Sequence, residues 1–169
     1  SYVIFLCHLL MSISLVTQFI LAMRKEFTSE PVSPIRKYAM GYNVDMTGNN
    51  NIITRFNATD SEPLDISTSH GEIVCYSNRS PKKDTPNEDA LAVIPVTDET
   101  TILVVGDGLG GMPAGEQASE IVVECLIAST SDTSLSLREA ILNGIDEANK
   151  TILDMKTGSG TTVSIAELS

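Results

Sequence analysis

Histidine is nearly missing from this chain: His8 and His70 are the two it has in 169 residues, and neither lies near its glycine-rich centre around position 107. A Ser-His-Asp or Cys-His catalytic site therefore has almost nothing to be built from. Cysteine is scarce and odd in number, with Cys7, Cys75 and Cys125 far apart, so neither a disulfide framework nor a zinc cluster is suggested. Bases are few as well. Eleven Lys and Arg stand against 22 Asp and Glu, for a formal net charge of -11. Nucleic acid and anionic lipid both need neutralising bases, so neither is expected as the main partner. The same imbalance does not oppose divalent cations. No internal repeat is visible.

Apolar residues make up 42% of the chain, which supports a core and one domain of ordinary size. The apolar share is not evenly spread. From Tyr2 to Met23, residues 2–23 are nearly continuous apolar sequence, closed by Arg24-Lys25. That length suffices for one membrane span, and the basic pair would hold the C-terminal domain in the cytoplasm. A signal peptide would carry its positive charge ahead of the apolar run. Residues 1–25 are thus a candidate membrane anchor. Residues 26–69 are polar and punctuated by Pro31, Pro34, Gly41, Gly48 and Pro63, and read as a linker with one short strand at 52–56. The compact domain is expected over 70–169.

Within that domain, strands are expected at 72–77, 90–96 and 101–105, the last two forming an antiparallel pair. Ala118, Ile121, Val122, Cys125 and Leu126 recur at helical spacing. Ser136-x-x-Glu139 is a capping box that opens a second helix, with Leu137, Ile141, Ile145, Ala148 and Ile152 along one face. Thr157-Gly158-Ser159-Gly160 turns the chain into an alternating strand over 161–166. Strands, two helices and a further strand make an α+β domain.

The chain is organised around Val104-Val105-Gly106-Asp107-Gly108-Leu109-Gly110-Gly111. Gly106-x-Gly108-x-x-Gly111 fits the dinucleotide-binding fingerprint. Asp107, however, would set a negative charge inside a loop meant to cradle pyrophosphate, and Met112-Pro113 delays the helix. Asp107 is better read as a metal ligand, because hard divalent cations take carboxylate and carbonyl oxygens and Gly108 has no side chain to shield its own carbonyl. Glu88-Asp89 opens the preceding strand. If the two strands pair antiparallel, Glu88, Asp89 and Asp107 share one end of the sheet. Carboxylates gathered there repel one another unless a cation neutralises them. The alternative is that Glu88 and Asp89 are merely solvated loop acids.

Asn87-Glu88-Asp89-Ala90, then Val105-Gly106-Asp107-Gly108-Leu109-Gly110-Gly111, two helices, and Gly158-Ser159-Gly160-Thr161-Thr162 resemble the metal-dependent (PPM-type, type 2C) protein serine/threonine phosphatases. The resemblance covers residues 70–169 and implies an αββα four-layer sandwich with two Mn²⁺ or Mg²⁺ ions in a cleft at one end. Carried over by position, it implies that Asp107 bridges both metals and that the Gly108 carbonyl binds one of them. It implies that Glu88 and Asp89 hold metal or metal-bound water, and that the substrate is a phosphorylated protein. Family members take further metal-binding aspartates from later strands, so the chain is expected to correspond to the first half of the sandwich. The family's phosphate-holding arginine, four residues before the motif glutamate, is here Asp84. Arg79, Lys82 and Lys83 are the nearby substitutes, although lysine lacks the bidentate fork. Some members carry histidine where this chain has Leu109. The rival reading from another class is a non-catalytic module that keeps the fold and binds a partner. Composition and spacing say nothing about oligomeric state.

Overall fold

A computed structural model describes residues 2–5, 21–24, 52–79, 81, 85–109 and 114–169. Its elements in chain order are β1 (Tyr2–Phe5), β2 (Leu21–Arg24), β3 (Ile53–Phe56), β4 (Leu64–Thr68), β5 (Gly71–Cys75), β6 (Asp89–Thr97), β7 (Thr100–Gly108), α1 (Gly115–Thr130), α2 (Leu137–Asp154) and β8 (Thr161–Leu168). One sheet has the order β1-β2-β5-β4 and the other β3-β6-β7-β8, with every pairing antiparallel. The domain is mixed α+β, as the element pattern predicts.

Alternation along β6 and β7 divides the core in two. Ala90, Ala92, Ile94, Ile102 and Val104 pack against Val122, Val123 and Leu126 of α1 and Ala148 of α2. Leu91, Val93 and Leu103, one residue out of phase, pack against Ile73 and Cys75 of β5 in the other sheet. The β3-β6-β7-β8 sheet is therefore apolar on both faces, with helices on one side and a sheet on the other. Each fully buried aliphatic side chain adds about 1.5–3 kcal/mol. This is why strands that read as unbroken apolar runs sit at the centre. Cys75, inside the inter-sheet core, has its thiol pushed up to about 11, chiefly by burial.

Two expectations change. Residues 52–69 do not behave as linker: β3 pairs with β6 and β4 pairs with β5, so part of that polar span belongs to the folded unit. Strand β3 matches the short strand expected at 52–56, whereas Pro63 and the polar residues around it masked the edge strand β4. Strand β7 does not break at its glycines but runs through Asp107 to Gly108, because β6 and β8 flank it and continue the ladder on both sides. The dinucleotide reading, already disfavoured by Asp107, fails on topology as well, since it needs a parallel strand after the helix and β8 instead returns antiparallel to β7. Of the candidate anchor, the two ends form the paired strands β1 and β2, and residues 6–20 lie outside the described residues. No helix among the described residues is long and apolar enough to cross a membrane.

Candidate metal centre

The register between β6 and β7 sets Asp89 directly opposite Asp107. Directly opposed residues of an antiparallel pair project to the same face, with Cα atoms about 4.5–5.5 Å apart. That face is the one carrying Leu91, Val93 and Leu103, which looks toward the other sheet. Asp89 is 6% exposed, whereas Asp107 stands open to solvent. On the far side of β7, Asp107 pairs with Thr162 and Gly108 with Thr161. The mouth of three neighbouring strands thus holds an aspartate pair, two threonines and a bare glycine.

Glu88 is at the same end but on the other face. Side chains alternate along a strand, so the neighbour of Asp89 points toward the helices. A Cβ added to Gly115, the first residue of α1, would lie 3.1 Å from Glu88 Oε1. Sequence adjacency therefore brings Glu88 to the corner without bringing its carboxylate onto the Asp89–Asp107 face. Beside the first turn of α1, that carboxylate faces the positive end of the helix. The need is local: the N-cap, Ala114, makes no side-chain cap hydrogen bond.

Backbone contacts hold the corner closed. The Glu88 carbonyl accepts from the Gly108 N–H at 3.1 Å and from the Ser119 hydroxyl at 2.6 Å. The Leu109 N–H donates to the Gly160 carbonyl at 2.9 Å, tying the end of β7 to the turn before β8. A Cβ on Gly108 would collide with the Gly115 carbonyl and lie 2.7 Å from the Glu88 carbonyl oxygen. Glycine at 108 is thus required by close approach of three backbone segments, quite apart from any ligand. Leu109 is 47% exposed at the rim. Arg79 is exposed, while Lys82, Lys83 and Asp84 lie outside the described residues.

The donor chemistry fits a hard cation. Like charges directly opposite on adjacent strands destabilise a sheet, and a divalent ion with oxygen ligands reverses that sign. Among the described residues no group of three or more His, Cys, Asp or Glu gathers tightly enough to enclose a metal. The Asp89–Asp107 pair is therefore a partial donor set. Three contributors escaped reading from sequence alone. Asn87, two residues before Asp89, follows an Asx pattern that local turn chemistry would have flagged. Ser119 is a polar residue on the apolar face of α1, and Gly115 lies beyond the glycine motif with nothing in the spacing to mark it.

An α+β domain whose central strands open onto paired acids at one end agrees with the family that the sequence resembles. Comparison with protein families matches residues 78–163 to the family described as Protein phosphatase 2C. The match takes in half of the chain and both acidic motifs, and the chain belongs to that family. Neither the curated proteins nor the solved structures returned a match.

Proposed function

We propose that the protein hydrolyses phosphoserine and phosphothreonine in protein substrates, using two divalent cations, Mn²⁺ or Mg²⁺, at the mouth of β6 and β7. The observation that carries this reading is the pairing of Asp89 with Asp107 across two core strands of a phosphatase-family domain. When bound, the cations supply Lewis acidity, lowering the pKa of water and offsetting charge on the phosphoryl group.

The chain's own residues do the holding. Asp107, the exposed acid, would hold the cations, with Asp89 meeting it from the neighbouring strand. The Gly108 carbonyl would be a third oxygen donor. Glu88 serves the opposite side of the strand mouth, where its carboxylate lies beside the start of α1. Arg79, Lys82 and Lys83 supply positive charge for the substrate phosphate, and Leu109, which cannot donate a proton, leaves the departing oxygen to take one from water. Read as part of an αββα sandwich, the two sheets and the α1–α2 pair would be three of its layers, the fourth being a helix layer over the β1-β2-β5-β4 sheet.

The test is phosphatase activity of the full-length protein on p-nitrophenyl phosphate and a phosphothreonine peptide with Mn²⁺. Asp107→Asn is expected to lower kcat/KM about a thousandfold, the several kcal/mol of charge stabilisation a metal supplies. Equal activity in both proteins removes the metal role. Asp84 in the arginine position favours the rival, a partner-binding module of the same fold, which would bind Mn²⁺ yet turn over neither substrate.

A further inference from the structure

Asn87 is 5% exposed, and every polar atom of its side chain is engaged. Its Nδ2 donates to the Ala58 carbonyl at 2.8 Å and to Ser77 Oγ at 2.8 Å. Its Oδ1 accepts from the Asp89 N–H at 3.2 Å. Ala58 follows β3, Ser77 follows β5 and Asp89 opens β6, so one carboxamide ties both sheets to the strand that carries the acid. Behind it, the Ser77 N–H donates to Asp60 Oδ2 at 2.9 Å, the Asp60 N–H donates to the Ser77 carbonyl at 2.9 Å, and Arg55 Nε lies 3.2 Å from Asp60 Oδ1. Arg55 is 4% exposed. A polar network this deep is costly unless fully satisfied, and an apolar plug would join the two sheets more cheaply.

What the network secures is register. Glu88 and Asp89 project to opposite faces, so a slip of one residue at the mouth of β6 would turn Asp89 toward the helices and set Glu88 against Asp107. The Glu88 carbonyl is clamped by Ser119 and Gly108, and the next N–H along, that of Asp89, is clamped by Asn87. We propose that Asn87 is a positioning residue for the metal centre, holding Asp89 opposite Asp107 by anchoring the mouth of β6 to the ends of β3 and β5. This rests on the proposed metal-dependent function. It makes asparagine specific at 87, because two donors and one acceptor are needed there, and aspartate would set a carboxylate oxygen against the Ala58 carbonyl.

The experiment is the Mn²⁺ dissociation constant of the full-length protein, read from the EPR signal of free Mn²⁺, with hydrogen exchange at the Asp89 amide followed alongside. Asn87→Ala should raise that constant about tenfold or more, the usual consequence of losing an outer partner of a metal ligand, and should speed exchange at Asp89. Turnover should recover at saturating Mn²⁺. Ile102→Val, in the core away from this corner, should cost stability without moving the constant. An unchanged constant in a folded Asn87→Ala protein overturns the proposal. If that variant does not fold, Ser77→Ala serves instead: a rise of about fivefold, the net strength of one hydrogen bond, supports the proposal and no rise overturns it. Asp107→Asn separates the two levels. Lost Mn²⁺ binding there, with Asn87→Ala unaffected, removes only the role of Asn87, whereas unaltered binding in both removes the metal reading as well.

Discussion

The two helices of this domain begin in opposite ways. Helix α2 opens on a complete capping box: the Glu139 N–H donates to Ser136 Oγ at 3.3 Å, and the Ser136 N–H donates to Glu139 Oε2 at 3.0 Å. Helix α1 opens on Ala114, which has φ 63 in the left-handed region and no side-chain cap. Alanine is a poor N-cap and an unfavourable left-handed residue. The difference lies in what each start must satisfy. The first turn of α2 answers only to its own chain. The first turn of α1 must meet the Gly108 backbone and the Glu88 carboxylate at the mouth of β6 and β7. Local rules tend to be broken where a site imposes geometry from outside.

The contrast breaks most visibly at Gly108. Gly108→Ala places a methyl group on the Gly115 carbonyl and close to the Glu88 carbonyl, and backbone atoms cannot rotate away. A loss of about 3 kcal/mol in the urea midpoint analysis is expected, with the start of α1 displaced. An alanine that costs nothing would mean that α1 is not seated against the end of β7. Next in size is Ser136→Ala, which removes a local cap and should cost about 1 kcal/mol while leaving Mn²⁺ affinity untouched. Smaller and opposite in sign is Ala114→Gly. It relieves about 1–2 kcal/mol of left-handed strain against about 0.5–1 kcal/mol of added chain entropy, for a net gain of about 0.5 kcal/mol. A lower thermal midpoint in Ala114→Gly would show that the left-handed start is not strained.

The same contrast explains what could be read in advance. Helix α2 was legible to the residue at its start, because Ser136 and Glu139 act on each other. The pairing of β6 with β7, and hence the meeting of Asp89 with Asp107, followed from two apolar runs joined by a short connection. The faces were not legible to the same depth. Glu88 and Asp89 look like one acidic unit in one dimension, and only strand alternation separates them. Strand β3 was legible at 52–56, whereas β4 was obscured because an edge strand needs few apolar residues, even though its partner β5 follows it through a tight turn. Asn87 opens the Asn87-Glu88-Asp89-Ala90 motif, yet its partners Ala58 and Ser77 lie on other segments, as does the Glu88 carbonyl that Ser119 reaches, so neither partnership is visible along the chain.

The gentlest probe of the comparison is acid. Glu139 carries a carboxyl held below its usual 4.5, first by the side-chain hydrogen bond from Ser136 and then by the Ser136 backbone N–H. Glu120, on α1, is pushed the other way, first by partial burial and then by the negative charges of Glu124 and Glu116. The signs follow from linkage. A lowered carboxyl adds stability above its unfolded pKa, and that stability fades as pH falls through the lowered folded value. A raised carboxyl penalises the folded state while ionised, and the penalty lifts as pH falls through its raised value toward 4.5. Acidification from neutrality should therefore ease the Glu116-Glu120-Glu124 stripe first and weaken the start of α2 only afterwards. Carboxyl NMR titration would show Glu120 taking its proton before Glu139, with first-turn amides of α2 losing exchange protection below pH 4.5 and those of α1 not following them. Simultaneous titration of the two carboxyls would mean that the helices differ at their caps in shape alone, with no electrostatic consequence.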